Sequence, residues 1–164
     1  MGKPGRKKFM FKESSWQGNE DDVMTADEFG LMRFVDAQAA VYEDVLGELR
    51  SGRKQTHWMW YIFPQVSGLG FSIMAQRFAI GSRAEAQAYL SHPLLGARLI
   101  ECTEAMLAHQ QISARAILGS PDDLKFKSSM TLFDIVSKKG SPFERALERY
   151  YSGERDERTL ALLR

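Results

Sequence analysis

Between Arg53 and Gln65 the chain gathers two cations, an imidazole, two indoles and an amide within thirteen residues: Arg53, Lys54, His57, Trp58, Trp60 and Gln65. Indole faces stack on flat rings, cationic side chains neutralise anions, and a histidine titrates near neutral pH. The set suits a nucleotide-like or other aromatic anion. If a reaction follows binding, His57 is the candidate catalytic acid or base and Arg53, Lys54, Trp58, Trp60 and Gln65 are candidate ligand-binding residues. The competing reading is structural, because large aromatics are common core filler in a small helical domain and a histidine beside tryptophan is often a satisfied donor. Backbone conformation discriminates between them. An extended segment places Trp58 and Trp60 on one side as a clamp, whereas a helix separates them by about 200°.

A second set, Lys125, Ser128, Ser129 and Thr131, has helical spacing that turns one cation and two hydroxyls to a common face. That arrangement fits anion recognition. It does not fit a serine acyl-enzyme, since the Ser-x-x-Lys order is reversed. In the structural alternative the hydroxyls bond back to carbonyls one turn earlier and let helices approach. Gly68-Leu69-Gly70 reads as a turn, too short for a dinucleotide fingerprint. His57, His92 and His109 lack metal-ligand spacing, and the single cysteine, Cys102, can build neither a zinc site nor an internal disulfide. Neither a metal nor a cofactor is expected.

The elements that position these residues are helices. Thr25-Ala26-Asp27-Glu28 has capping-box spacing. Behind it Leu31, Phe34, Val35, Gln38, Tyr42, Val45, Leu46 and Leu49 form one apolar stripe that ends at Gly52, predicting a single long helix. Ser82 with Glu85, Ser120 with Pro121 and Asp123, and Ser141 with Pro142 and Glu144 mark three further starts. A helix over 84–91 should stop at His92-Pro93, a longer one should carry Leu94 to Leu107, and Asp156 should cap a last short helix. No alternation long enough for a sheet occurs. The expected fold is mainly α, a single multi-helix domain over 24–164 behind a flexible extension at 1–23. Only the apolar run at 57–63 is ambiguous, fitting either a short strand or a buried helical turn.

Composition narrows the partners. Lys plus Arg number 22 against 21 for Asp plus Glu, so nothing marks a surface for duplex nucleic acid. No run of apolar residues is long enough to span a bilayer, which predicts a cytoplasmic protein without membrane association. Oligomeric state is not readable from the chain.

Several blocks together resemble a known family: Arg33-Phe34-Val35-Asp36-Ala37-Gln38, the stretch from Gly52 to Gln65, Gly68-Leu69-Gly70, and His92-Pro93-Leu94-Leu95-Gly96. Ser120 to Lys125, Ser128 to Phe133 and Asp156 to Leu160 complete the pattern. These are similar to the signatures of the bacterial family catalogued as domain of unknown function 1810, across about 24–164. The resemblance implies a mainly helical fold without an assigned activity. Some members of that family are labelled calpastatin, but nothing here is similar to the disordered inhibitory repeats of the animal protein. Phe78 stands where the family pattern leads one to expect tyrosine.

The function expected from the sequence is therefore small-molecule binding where Arg53–Gln65 meets the helix carrying Lys125, Ser128 and Ser129, with hydrolysis or group transfer as the reaction class if there is catalysis. The alternative is a non-catalytic protein-interaction module built on the same aromatic block.

Overall fold

The computed structural model describes residues 27–164, so the expected extension at 1–23 and the Thr25 cap lie outside the described residues. The described residues fall into two units, 27–32 and Arg33–Arg164. The first is a turn. Gly30 N–H donates to the Asp27 carbonyl at 2.9 Å, and Asp27 Oδ1 accepts the Met32 N–H at 3.1 Å.

Ten helices make up the described chain: α1 (Met32–Ala39), α2 (Tyr42–Ser51), α3 (Met59–Ile62), α4 (Ile73–Arg77), α5 (Arg83–Ser91), α6 (Leu95–Leu107), α7 (Ala114–Leu118), α8 (Asp122–Ile135), α9 (Pro142–Tyr151) and α10 (Glu157–Leu162). The fold is mainly α, and among the described residues there is no sheet, only an isolated parallel bridge between Val66 and Ile80. The ambiguous run at 57–63 is helical at its centre. Among the described residues no helix is long and apolar enough to cross a membrane.

Helix starts follow side-chain capping. Ser82, Ser141 and Asp156 each accept the N–H three residues on, at 3.1, 3.1 and 3.0 Å. His92 does the same for α6, its Nδ1 accepting from Leu94 and Leu95 N–H at 3.1 and 3.2 Å. Gly96 then allows close approach, because a Cβ there would lie 2.0 Å from the Leu90 carbonyl oxygen. Two expectations need correction. The predicted first helix breaks at Val41, whose φ of −120° leaves helical geometry before α2 restarts the same buried stripe. Ser120 does not cap α8, whose N-cap position is Pro121 and which has no side-chain cap.

Helix α8 is the centre of the domain, packing against α3, α5, α7, α9 and α10, while α6 packs on α2, α5 and α9. From Ser128 to Asp134 every residue of α8 is buried, so this helix is enclosed all round rather than presenting one apolar stripe. Its rings hold the core: Phe126 meets Phe63 edge-on at 4.8 Å between centroids, and Phe133 lies 5.3 Å from Tyr89 and 5.8 Å from Phe143. Cys102 is buried in α6, and burial pushes its thiol up to about 12, far from a reactive thiolate.

Candidate functional site

The aromatic block is organised by Glu48 on α2. Gly52 ends that helix in the left-handed region at φ 78°, and Lys54 N–H donates to the Ile117 carbonyl at 2.7 Å, turning the chain back past Glu48. The Glu48 carboxylate accepts Gln55 N–H at 2.6 Å, Thr56 N–H at 2.9 Å, Thr56 Oγ1–H at 2.6 Å and Trp58 Nε1–H at 3.0 Å. Burial pushes this carboxyl up, but the four hydrogen bonds outweigh it and hold the group at about 2. Trp58 is 1% exposed. Lys54 Nζ lies 3.0 Å from Asp122 Oδ2 and 5.1 Å from the centre of the Trp58 ring, with its side chain 8% exposed.

Of the two arrangements the sequence left open, the two-indole clamp does not form: α3 is helical from Met59, with Trp58 at its N-cap, and the tryptophans part as the helical alternative requires. Trp58 goes into the core and Trp60 stays half-buried, with Lys125 Nζ 5.7 Å from its ring centre. His57 and Arg53 are exposed, and neither side chain forms an ion pair among the described residues.

A groove of about 480 Å³ opens nearby, lined by the 65–75 loop, the first turns of α8, and Asp156 and Arg158 at the start of α10. Its α8 wall is fixed from behind. Asp156 Oδ2 caps α10 through Thr159 N–H and also accepts Ser128 Oγ–H at 3.1 Å, while Asp156 N–H donates to Thr131 Oγ1 at 2.9 Å. These bonds join the start of α10 to the side of α8 and so set Arg158 beside Lys125 and Lys127. Lys127 Nζ lies 3.1 Å from Glu154 Oε1 and Lys125 Nζ 3.7 Å from Asp122 Oδ1. Arg158 has no ion pair among the described residues.

The opposite wall is the loop around Gly70, where a Cβ would come within 2.6 Å of the Ala75 Cβ, so a side chain there would push the loop off α4. Its ends are held by Ile80 N–H to the Gln65 carbonyl at 2.9 Å and Ser67 N–H to the Ile80 carbonyl at 2.8 Å. Arg33 secures the far side, donating to the Arg77 and Ala79 carbonyls at 2.8 Å each and to Glu85 Oε2 at 2.7 Å. Phe71 and Leu124 are exposed apolar side chains in this lining, 79% and 59% accessible.

Of the residues read from the sequence, the groove brings together Gln65, Lys125 and Ser128. Arg53, Lys54, His57, Trp58, Trp60 and Ser129 do not line it. Ser129 is 0% exposed, since α8 is covered on that side as well, and its Oγ has no hydrogen-bond partner among the described residues. Phe71, Leu124, Lys127, Asp156 and Arg158 escaped the sequence reading. Asp156 was legible as a cap and Arg158 sits within the closing family block, but neither signal points to a groove 30 residues away in the chain.

Comparison with known proteins extends this geometry. No curated protein matches the chain. The conserved hypothetical protein Rv1873 from Mycobacterium tuberculosis, whose crystal structure was determined at 1.38 Å, is similar in structure with a TM-score of 0.82 and 54% sequence identity. The similarity covers 84% of this chain and 98% of that one. A family profile spans residues 28–163, taking in both walls of the groove and all ten helices, and this chain belongs to that family, described as protein of unknown function (DUF1810).

Proposed function

We propose that the chain is a cytoplasmic binding protein for a small anionic molecule, held in the groove between the 65–75 loop, α8 and α10. One observation carries the reading: Lys125, Lys127 and Arg158 line a single concavity with Asp156, and while Lys125 and Lys127 pair with Asp122 and Glu154 at its edge, Arg158 has no ion pair among the described residues. The volume lies in the range of ordinary small-ligand sites. Hydrolysis or group transfer remains the reaction class such a ligand would support. In that case Asp156, the carboxylate in the lining, takes the acid or base role rather than His57, which does not line the groove.

A protein-docking face is the second reading, favoured by Phe71, Ile73 and Leu124 at 79%, 86% and 59% exposure. Thermal unfolding against inorganic phosphate and pyrophosphate tests both. At 100-fold excess over the dissociation constant, binding adds about 2.7 kcal/mol to wild-type stability. Arg158→Ala and Lys125→Ala should lose most of that gain, and His57→Ala should keep it. A wild-type melting temperature that neither anion moves rejects the anion site and leaves the docking face.

A further inference from the structure

We infer that the groove's occupant is a nucleoside monophosphate. The inference rests on the groove being an anion site and deepens that reading, because the lining falls into three chemically different parts. The first is cationic: Lys125, Lys127 and Arg158 stand against one carboxylate, Asp156. Lys125 and Lys127 already pair with Asp122 and Glu154, so Arg158, without an ion pair among the described residues, is the cation left for a ligand, and the least charged phosphate, a monoester near −2 at neutral pH, suits it best. A triphosphate carries more charge than this lining offsets.

The second part is an open acceptor. Asp156 uses Oδ2 for Ser128 Oγ–H and Thr159, whereas Oδ1 accepts no hydrogen bond among the described residues. An acceptor-only carboxylate oxygen beside a phosphate subsite calls for a ligand that brings hydroxyl donors, as a ribose does. The third part is an apolar shelf. Phe71, 79% exposed, and Leu124, 59% exposed, both line the groove and offer a base apolar surface, the Phe71 ring a stacking face. Gln65, whose side-chain amide makes no hydrogen bond among the described residues, lines the floor as a donor and acceptor for the edge of that base. Phosphate, sugar and base thus each meet the lining chemistry they require, and a plain inorganic anion would leave the shelf and the acceptor unused.

Isothermal titration with adenosine 5′-monophosphate, ribose 5-phosphate, adenosine and inorganic phosphate tests this on the full chain. The nucleotide should bind about tenfold tighter than ribose 5-phosphate, the lower end of what one base stacked on an aromatic ring contributes. Phe71→Ala removes a side chain that is mostly in solvent, so folding should survive. It should lower nucleotide affinity to that of ribose 5-phosphate while leaving ribose 5-phosphate unchanged. Equal affinities for the two phosphates in wild type, or a Phe71→Ala effect shared by both ligands or absent from both, overturns the nucleotide assignment. If inorganic phosphate and ribose 5-phosphate still bind in that case, the anion site stands without the base. If no phosphate-bearing probe binds at all, the anion site itself falls.

Discussion

The Arg53–Trp60 block and the groove beside it contain similar residue types, yet Trp58 and Lys54 in the one and Phe71 and Arg158 in the other have opposite fates. In the block, Glu48 takes up the Trp58 indole N–H, Asp122 takes up Lys54, and the Trp58 ring is sealed in the core. In the groove, Arg158 has no ion pair among the described residues, one oxygen of Asp156 is open, and Phe71 is largely in solvent. The difference shows that residue type signals chemistry only where hydrogen-bonding capacity is left over after folding. A dense aromatic and cationic run can be the part of a small domain most fully consumed by its own core, since large rings and charged partners are what turn a loop into a fixed element. Less conspicuous residues, Arg158 and Asp156 at the start of α10, keep polar groups available among the described residues.

The largest expected effect that would sharpen this contrast is Trp58→Ala. Removing a 1%-exposed indole and orphaning one Glu48 hydrogen bond should cost about 3–5 kcal/mol of unfolding free energy, read from urea denaturation. A loss below about 1 kcal/mol, with anion binding abolished, would instead make Trp58 a ligand contact and erase the contrast.

Next in size is Glu48→Gln. Glutamine keeps an acceptor oxygen but loses the charge, so stability at neutral pH should drop by about 1–2 kcal/mol. The pH dependence is more specific. The carboxyl sits at about 2 in the folded chain against an ordinary 4.5, so its contribution is complete above 4.5 and is lost as pH falls from there toward about 2. The stability difference between wild type and Glu48→Gln should therefore shrink across that window. A difference that holds constant down to pH 2 would show that the four hydrogen bonds are not made by a carboxylate.

Much of the fold was legible because helix capping is local. Ser82, Ser141 and Asp156 bond N–H groups only three residues away, and that spacing is written in the chain. The break at Val41 was not, since no glycine or proline marks it and the apolar stripe runs on across it. Helices α4 and α7, with five residues each, are too short to express a helical period, although Ser72 and Ser113 cap them. For the site, spacing correctly put Lys125 and Ser128 on one side of α8, but which side stays open depends on α10 and the 65–75 loop. Those neighbours are distant in sequence, so Ser129 could not be told from Ser128, nor Arg158 from any other surface arginine.

The smallest expected effect concerns that adjacent serine pair, in which the same residue type occupies both environments. Ser128 Oγ has two acceptors, the Leu124 carbonyl at 3.2 Å and Asp156 Oδ2 at 3.1 Å, and it joins α8 to the start of α10. Ser129 Oγ is buried without a partner among the described residues, so the fold bears the cost of dehydrating a hydroxyl and gains no hydrogen bond there for it. Ser128→Ala should lower stability by about 1 kcal/mol. Ser129→Ala removes the unpaired hydroxyl and adds a better helix former, so its urea midpoint should stay level or rise by the equivalent of up to about 1 kcal/mol at unchanged m-value. If Ser129→Ala proved as destabilising as Ser128→Ala, the Ser129 hydroxyl would have to be bonded within the folded chain, and burial alone would no longer separate the consumed residues of α8 from the available ones.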